Sequence, residues 1–286
     1  MTYLLILLIP LLSIIPSLAL AEIDVGWEPG EAVNGRPLVI KVASSQPLSQ
    51  ISGRLGQIPL YFYPGGSGNY SALVGIDLDE KGGQLPLYIY AVTPDENVAV
   101  VNREVPLIWR DYGIQSLTLP PSLVELDQAT LRRVEVERER LESIWQEVTI
   151  KRLWRDRFMP PLDGPITGPF GLKRIINGQE RAPHTGVDIS ASEGESIRAS
   201  NSGLVVLADE LFFSGKSVII DHGLGLFTTY FHLKEFQVKL GELVKGGQII
   251  GLVGKTGRAT GPHLHWGARL NGARIDPLAL VDLDLK

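Results

Sequence analysis

The 286-residue chain contains no cysteine. That absence excludes a disulfide framework, thiol catalysis, Cys-ligated zinc and lipid attachment through an N-terminal cysteine, so any metal must be held by His, Asp or Glu. Histidine is scarce as well, and none of the five occurs before His184. There is no basic stripe of the kind nucleic-acid binding requires. The net charge is −5, and it is carried by Glu22 to Asp111, with 6 basic against 11 acidic side chains, whereas the rest of the chain is balanced. No nucleic-acid partner is expected, and an acidic front half is mildly repelled by anionic phospholipid. No Gly-x-Ser-x-Gly elbow occurs. Gly254-Lys-Thr256 looks like the end of a phosphate-binding loop but has Ile249 where that loop needs glycine. Among enzyme classes, metal-assisted hydrolysis survives.

With 44% hydrophobic and 21% charged residues the composition is that of a globular protein, and the length predicts about two domains. Residues 1–21 are expected to be a signal peptide, an apolar run ending in Ala19-Leu20-Ala21. They lack the usual Lys or Arg, so an uncleaved anchor is the rival reading, and membrane contact is expected only in that case. Pro10 and Pro16 interrupt the run and count against a spanning helix. The expected localisation is exported, periplasmic or cell envelope.

Residues 22–113 read as a small β-sandwich-like domain. Strand candidates are Leu38–Val42, Pro59–Tyr63, Tyr70–Val74, Leu87–Val92 and Val98–Val101, separated by Gly- and Pro-rich turns. Residues 114–159 read as a linker with an amphipathic helix. Asp127 is its N-cap candidate, and Leu131, Val134, Leu141, Trp145 and Val148 recur at helical spacing. An intramolecular brace is the expected role. Residues 160–286 carry the chemistry. The fold class expected for the whole is mostly β.

His263-Leu-His265 puts two imidazoles on one face of a strand. In His184-Thr-Gly-Val-Asp188 an imidazole and a carboxylate lie four apart, on one face of either a helix or a strand. His184, Asp188 and one of the clustered histidines make three protein ligands, leaving a fourth tetrahedral position for water, as in a catalytic zinc site. The other clustered histidine is then free to act as a general base. His232, in the apolar run Tyr230-Phe-His-Leu, reads by itself as a core residue, and His222, in Asp221-His-Gly-Leu-Gly, as a structural residue at a turn.

The ordered set His184-Thr-Gly-Val-Asp188, Tyr230-Phe-His232-Leu, Gly246-Gly-Gln-Ile-Ile-Gly251 and Thr260-Gly-Pro-His-Leu-His-Trp266 resembles the lysostaphin/LytM-type zinc metallopeptidases, which cut peptide cross-links of bacterial peptidoglycan. The resemblance covers about residues 165–280, from Gly168-Pro-Phe-Gly171 to Asn271-Gly-Ala-Arg-Ile-Asp-Pro277. It implies a mostly antiparallel β-sheet with a groove over one zinc ion. By the resemblance, His184, Asp188 and His265 are the zinc ligands and His263 and His232 the catalytic histidines, their division of labour left open. Turns such as Leu211-Phe-Phe-Ser-Gly are expected to wall the groove. The implied activity is exported zinc endopeptidase action on peptidoglycan cross-links or stem peptides, with the D-alanyl-diaminopimelate bond as first choice. A non-catalytic activator or wall-binding regulator is the alternative. A protein regulator, or an N-terminal segment covering the groove, belongs to the same set of expectations.

Overall fold

Runs of β-branched and aromatic residues broken by Gly, Pro and Asn fold as strands almost throughout. The computed structural model describes residues 22–66, 68–118, 124 and 126–285. The signal peptide expected over residues 1–21 and the Pro120-Pro121 boundary lie outside them. The described residues form twenty-two strands and two helices, so the chain is mostly β.

The first part has two sheets. Strands β1 (Ile23–Glu28), β3 (Pro37–Ser44), β7 (Asn69–Gly75) and β6 (Phe62–Gly66) lie side by side in that order. The second sheet runs β2 (Ala32–Val33), β9 (Val98–Ile108), β8 (Gly83–Val92), β4 (Gln50–Leu55) and β5 (Ile58–Pro59). Leu38, Ile40, Val42 and Val74 of one sheet share a core with Leu55, Leu87, Ile89 and Val105 of the other. Each such side chain contributes roughly 1.5–3 kcal/mol on burial, and facing sheets closed over one core make a sandwich. The run Pro59–Tyr63 does not form one strand. The Leu60 amide donates to the Gly53 carbonyl at 3.0 Å, and the chain then crosses from β5 to β6 in the opposite sheet.

Helix α1 (Gln128–Gln146) starts at Asp127, whose Oδ1 accepts from the Thr130 amide at 2.7 Å. Leu141, Ile144 and Trp145 pack on Leu207, Leu211, Ile219 and Phe227 of the second part. Arg140 pairs with Asp209 at 2.6 Å, and Glu137 accepts from the Phe212 amide at 2.8 Å. Leu131 stays exposed and Val148 falls beyond the helix end, so only the C-terminal half of the expected apolar stripe is used.

Ahead of the helix, β10 (Ile114–Leu117) runs parallel to β12 (Lys173–Ile176), which pairs with β13 (Gln179–Arg181). Residues ahead of α1 thereby extend a sheet of the second part. The main sheet there follows the order β11 (Ile166–Gly168), β14 (Gly186–Ser190), β21 (His263–Leu270), β18 (Leu226–Phe236), β17 (Gly215–Gly223), β16 (Gly203–Leu211) and β19 (Leu243–Val244), all antiparallel. Its inner face carries Val187, Ile189, Tyr230, Leu264 and Trp266 into one core. The period of two then puts Asp188, His263 and His265 on the opposite face.

The two parts share a further core. Val39, Tyr63 and Leu73 of the sandwich pack with Trp154, Leu226, Leu270 and Ile275. At Gly75 a Cβ would lie 2.5 Å from the Leu270 carbonyl oxygen, so only glycine permits this approach.

Candidate metal centre

Asp188 stands directly opposite His265 in the β14–β21 register, which brings their side chains together on the outer face. His184 precedes β14, held by its amide donating to the Leu172 carbonyl at 2.9 Å and its carbonyl accepting from the Gly171 amide at 2.8 Å. His184 Nε2 lies 3.0 Å from Asp188 Oδ1 and 3.0 Å from His265 Nδ1, and His265 Nδ1 lies 2.8 Å from Asp188 Oδ1. Three potential ligand atoms thus converge. Two glycines make the room. A Cβ at Gly168 would sit 2.4 Å from Asp188 Oδ2, and one at Gly186 would sit 2.7 Å from His265 Nε2.

These atoms fit a cation better than they fit one another. His184 Nδ1 is 2.8 Å from the Pro169 carbonyl oxygen, which can only accept, so the proton of the neutral ring is on Nδ1. Its Nε2 therefore points a lone pair at a carboxylate oxygen and at another imidazole nitrogen. A cation bound between them resolves that conflict, and the two-His, one-Asp set is one that zinc accepts. Burial raises the Asp188 carboxyl, but the His184 and His265 imidazoles set against it outweigh burial and hold the group well below the ordinary carboxylate range. It is an anion. Burial lowers His265, keeping it neutral and able to ligate.

His263 and His232 flank this cluster. The Gly261 carbonyl takes the Nδ1 proton of His263 at 2.8 Å, and the Thr256 carbonyl takes that of His232 at 2.8 Å, so each keeps a lone pair on Nε2. Their ring centroids are 4.8 Å apart, and His263 Nε2 lies 3.9 Å from Asp188 Oδ1. Burial, with a contribution from His265, lowers the His232 imidazole to about 4.

The placement of His232 breaks strand alternation. Phe231 pairs with His265 and stacks on its ring at 5.5 Å, so it occupies the outer face, and regular alternation would turn His232 inward. His232 instead has φ +64°, a left-handed conformation that turns it to the same face as Phe231. Such backbone strain is characteristic of functional positions. Read only as a strand residue, His232 would belong to the core.

A cavity of about 370 Å³ opens over the cluster. Besides His232, His263, His265 and Asp188 it is lined by Gln115, Thr167, Arg174 and Arg258, none of which sequence reasoning singled out. Arg258 stands two residues before the quoted Thr260-Gly-Pro motif, whereas nothing in the sequence marks Arg174. The Leu211–Gly215 turn is not part of this lining, contrary to the expectation that it walls the groove. The Arg258 amide donates to the Phe213 carbonyl at 2.8 Å, so the 256–261 segment stands between that turn and the cavity. Thr256, from the discarded phosphate-loop resemblance, orients His232 through its carbonyl. His222 lies apart from the centre, buried in β17 with Nδ1 2.8 Å from the Ser202 carbonyl and Nε2 2.7 Å from Thr228 Oγ1.

Residues 182–277 match the sequence profile of Peptidase family M23. The C-terminal part of the chain is an M23 peptidase domain. The matched region contains all five histidines and Asp188. A 116-residue stretch, 41% of this chain, is 40% identical to the DD-carboxypeptidase/endopeptidase Mpg of Neisseria meningitidis and covers 27% of it. A 140-residue stretch, 48% of this chain, is 35% identical to the Vibrio cholerae peptidoglycan DD-endopeptidase ShyA and covers 30% of that protein. Both relatives are longer proteins, of which the matches span less than a third. A Pseudomonas aeruginosa crystal structure described as a peptidase M23 is similar over most of the chain. It has a TM-score of 0.66 and 28% identity, covering 87% of this chain and 94% of that one. The likeness to that structure extends beyond the M23 domain into the N-terminal sandwich.

Proposed function

We propose that the protein is an exported zinc-dependent endopeptidase that hydrolyses peptide cross-links or stem peptides of bacterial peptidoglycan. The observation that carries this reading is the convergence of His184 Nε2, Asp188 Oδ1 and His265 Nδ1 within 3.0 Å of one another, beside two histidines with free Nε2 atoms. The relatives named above, one a peptidoglycan DD-endopeptidase and one a DD-carboxypeptidase/endopeptidase, supply the substrate class.

His184, Asp188 and His265 would hold the ion. Zinc there supplies Lewis acidity, polarising a scissile carbonyl and making water acidic enough to react near neutral pH. His263 and His232, each with a lone pair on Nε2, accept the proton of the attacking water and return it to the leaving amine. A positioned base of this kind contributes about 10²–10⁴-fold. Burial lowers the His232 imidazole to about 4, so its ring is neutral and its Nε2 lone pair free in the neutral range. The carbonyls of Thr256 and Gly261 keep the two rings aimed at the cavity.

The periplasm or cell envelope is the compartment that holds this substrate, in line with the Ala19-Leu20-Ala21 pattern. The test pairs metal analysis of the purified chain with mass analysis of peptides released from sacculi, with and without chelator. One zinc per chain and chelator-sensitive release of uncross-linked peptides are expected. Bound zinc with no release from sacculi or from soluble cross-linked peptides would refute the endopeptidase reading.

A further inference from the structure

The groove holds more positive charge than its own carboxylates neutralise. Arg174 and Arg258 both line it, and Arg181 is near enough to bear on Arg258 electrostatically. Among the described lining residues the only acid is Asp188. Its Oδ1 is committed to His184 and His265, and its Oδ2 lies 3.6 Å from Arg174. The Nε of Arg174 is buried with no hydrogen-bond partner. Among the described residues no carboxylate lies within ion-pair distance of Arg258. Burial, and then the like charges of Arg174 and Arg181, hold it below the ordinary guanidinium value. Its guanidinium is nonetheless fixed, 4.3 Å from the centroid of the Phe213 ring, with its amide bonded to the Phe213 carbonyl.

A protein of net charge −5 thus keeps the guanidinium of Arg258 without a carboxylate partner among the described residues, beside the one place where a peptide would be cut. A half-buried cation without a partner is costly, and a ligand carboxylate removes that cost. The planar guanidinium fork matches a carboxylate in two parallel hydrogen bonds, and Phe213 reduces the freedom Arg258 loses on forming them.

We propose that Arg258, with Arg174 beside it, forms a carboxylate-binding subsite that selects peptides bearing a free carboxylate next to the scissile amide. The carboxylate meant is the one on the carbon that carries the leaving amine, the nearest such group in a cross-link or at a peptide C-terminus. The proposal deepens the peptidase reading and rests on it for the identity of the groove.

The test uses the full chain loaded with zinc and carrying His263→Ala to prevent turnover. Two labelled peptides of one sequence are compared by fluorescence anisotropy, one with that carboxylate free and one with it amidated. The free acid binds roughly ten- to a hundred-fold more tightly, the range expected of a charge-assisted contact. Arg258→Gln removes the preference while leaving the affinity for the amidated peptide within about two-fold, and Arg258→Lys restores part of it. Equal affinities for the two peptides, binding of neither, or a preference that survives Arg258→Gln would each overturn the subsite. Cleavage by the wild-type chain is scored separately, and its failure would count against the peptidase reading while the binding comparison still judges Arg258.

Discussion

Arg274 and Asp77, 197 residues apart, clasp each other across the boundary between the sandwich and the M23 domain. Asp77 Oδ2 accepts from the Arg274 amide at 2.9 Å and from its Nε at 3.0 Å, while Nη2 reaches Asp77 Oδ1. The pair is partly shielded, with side-chain exposures of 19% and 30%. Burial raises the Asp77 carboxyl, but the Arg274 hydrogen bonds prevail and hold it below its ordinary value.

Asp77→Ala should therefore destabilise the chain by about 1–3 kcal/mol, the range for hydrogen bonds to charged groups. Asp79, 2.7 Å from Arg274 but 74% exposed, serves as the control, and Asp79→Ala should change little. Denaturant unfolding of both variants decides the point, and equal losses would show that shielding is not what matters.

His184→Ala and His265→Ala should each reduce zinc from one ion per chain to none after dialysis, because two remaining ligands hold the ion too weakly. The thermal midpoint of the wild-type chain should rise on adding zinc, and that rise should vanish in both variants. Retention of stoichiometric zinc by either would remove that residue from the ligand set.

Gly186→Ala tests the space under the cluster. The added Cβ would sit 2.5 Å from the Trp266 carbonyl oxygen and 2.7 Å from His265 Nε2, so β14 or His265 must move. Overpacking of this kind costs about 1–3 kcal/mol and should weaken zinc binding as well. Gly194, where a Cβ would meet nothing within 4 Å, has φ +91° and would report backbone strain alone. Zinc affinity should be unchanged in Gly194→Ala.

His232→Ala should keep its zinc yet lose about 10²–10⁴-fold in kcat on cross-linked peptides, since the ring is outside the ligand set but faces the cavity. Steady-state kinetics with metal analysis separates the two effects. Loss of the ion together with activity would mean that the ring supports the metal instead.

His222 predicts an acid-sensitive fold. Burial lowers its imidazole from 6.5 to about 4. Between those values the unfolded chain binds a proton that the native chain refuses, so stability rises with pH across the window. The contribution is complete above about pH 6.5 and is lost as pH falls toward 4, amounting to roughly 3 kcal/mol at the limit. His222→Gln should be less stable at neutral pH but show a shallower loss from pH 6.5 to 4.5 in urea titrations. Parallel slopes in the two proteins would assign the acid sensitivity elsewhere.

Much of the centre was legible in the chain because its signals are local. The absence of cysteine, the His263-Leu-His265 alternation and the spacing of His184 and Asp188 depend only on the period of a strand and the chemistry of the donors. The same locality made the Asp127 cap and most strand runs readable. The break of Pro59–Tyr63 into two strands was not readable, since a continuous apolar run carries no mark of where the chain changes sheets.

What the sequence by itself determined was the β character and the kinds of donor on offer, imidazole and carboxylate, with His263 and His265 left as alternatives. Only the tertiary structure decided that Asp188 faces His265 across a ladder, that φ +64° turns His232 outward, and that Arg174 and Arg258 meet over the cluster. The reason is physical. Periodicity records which face a residue takes along its own strand, whereas strand register, a left-handed kink and the approach of two distant guanidinium groups are fixed by contacts between segments far apart in the chain.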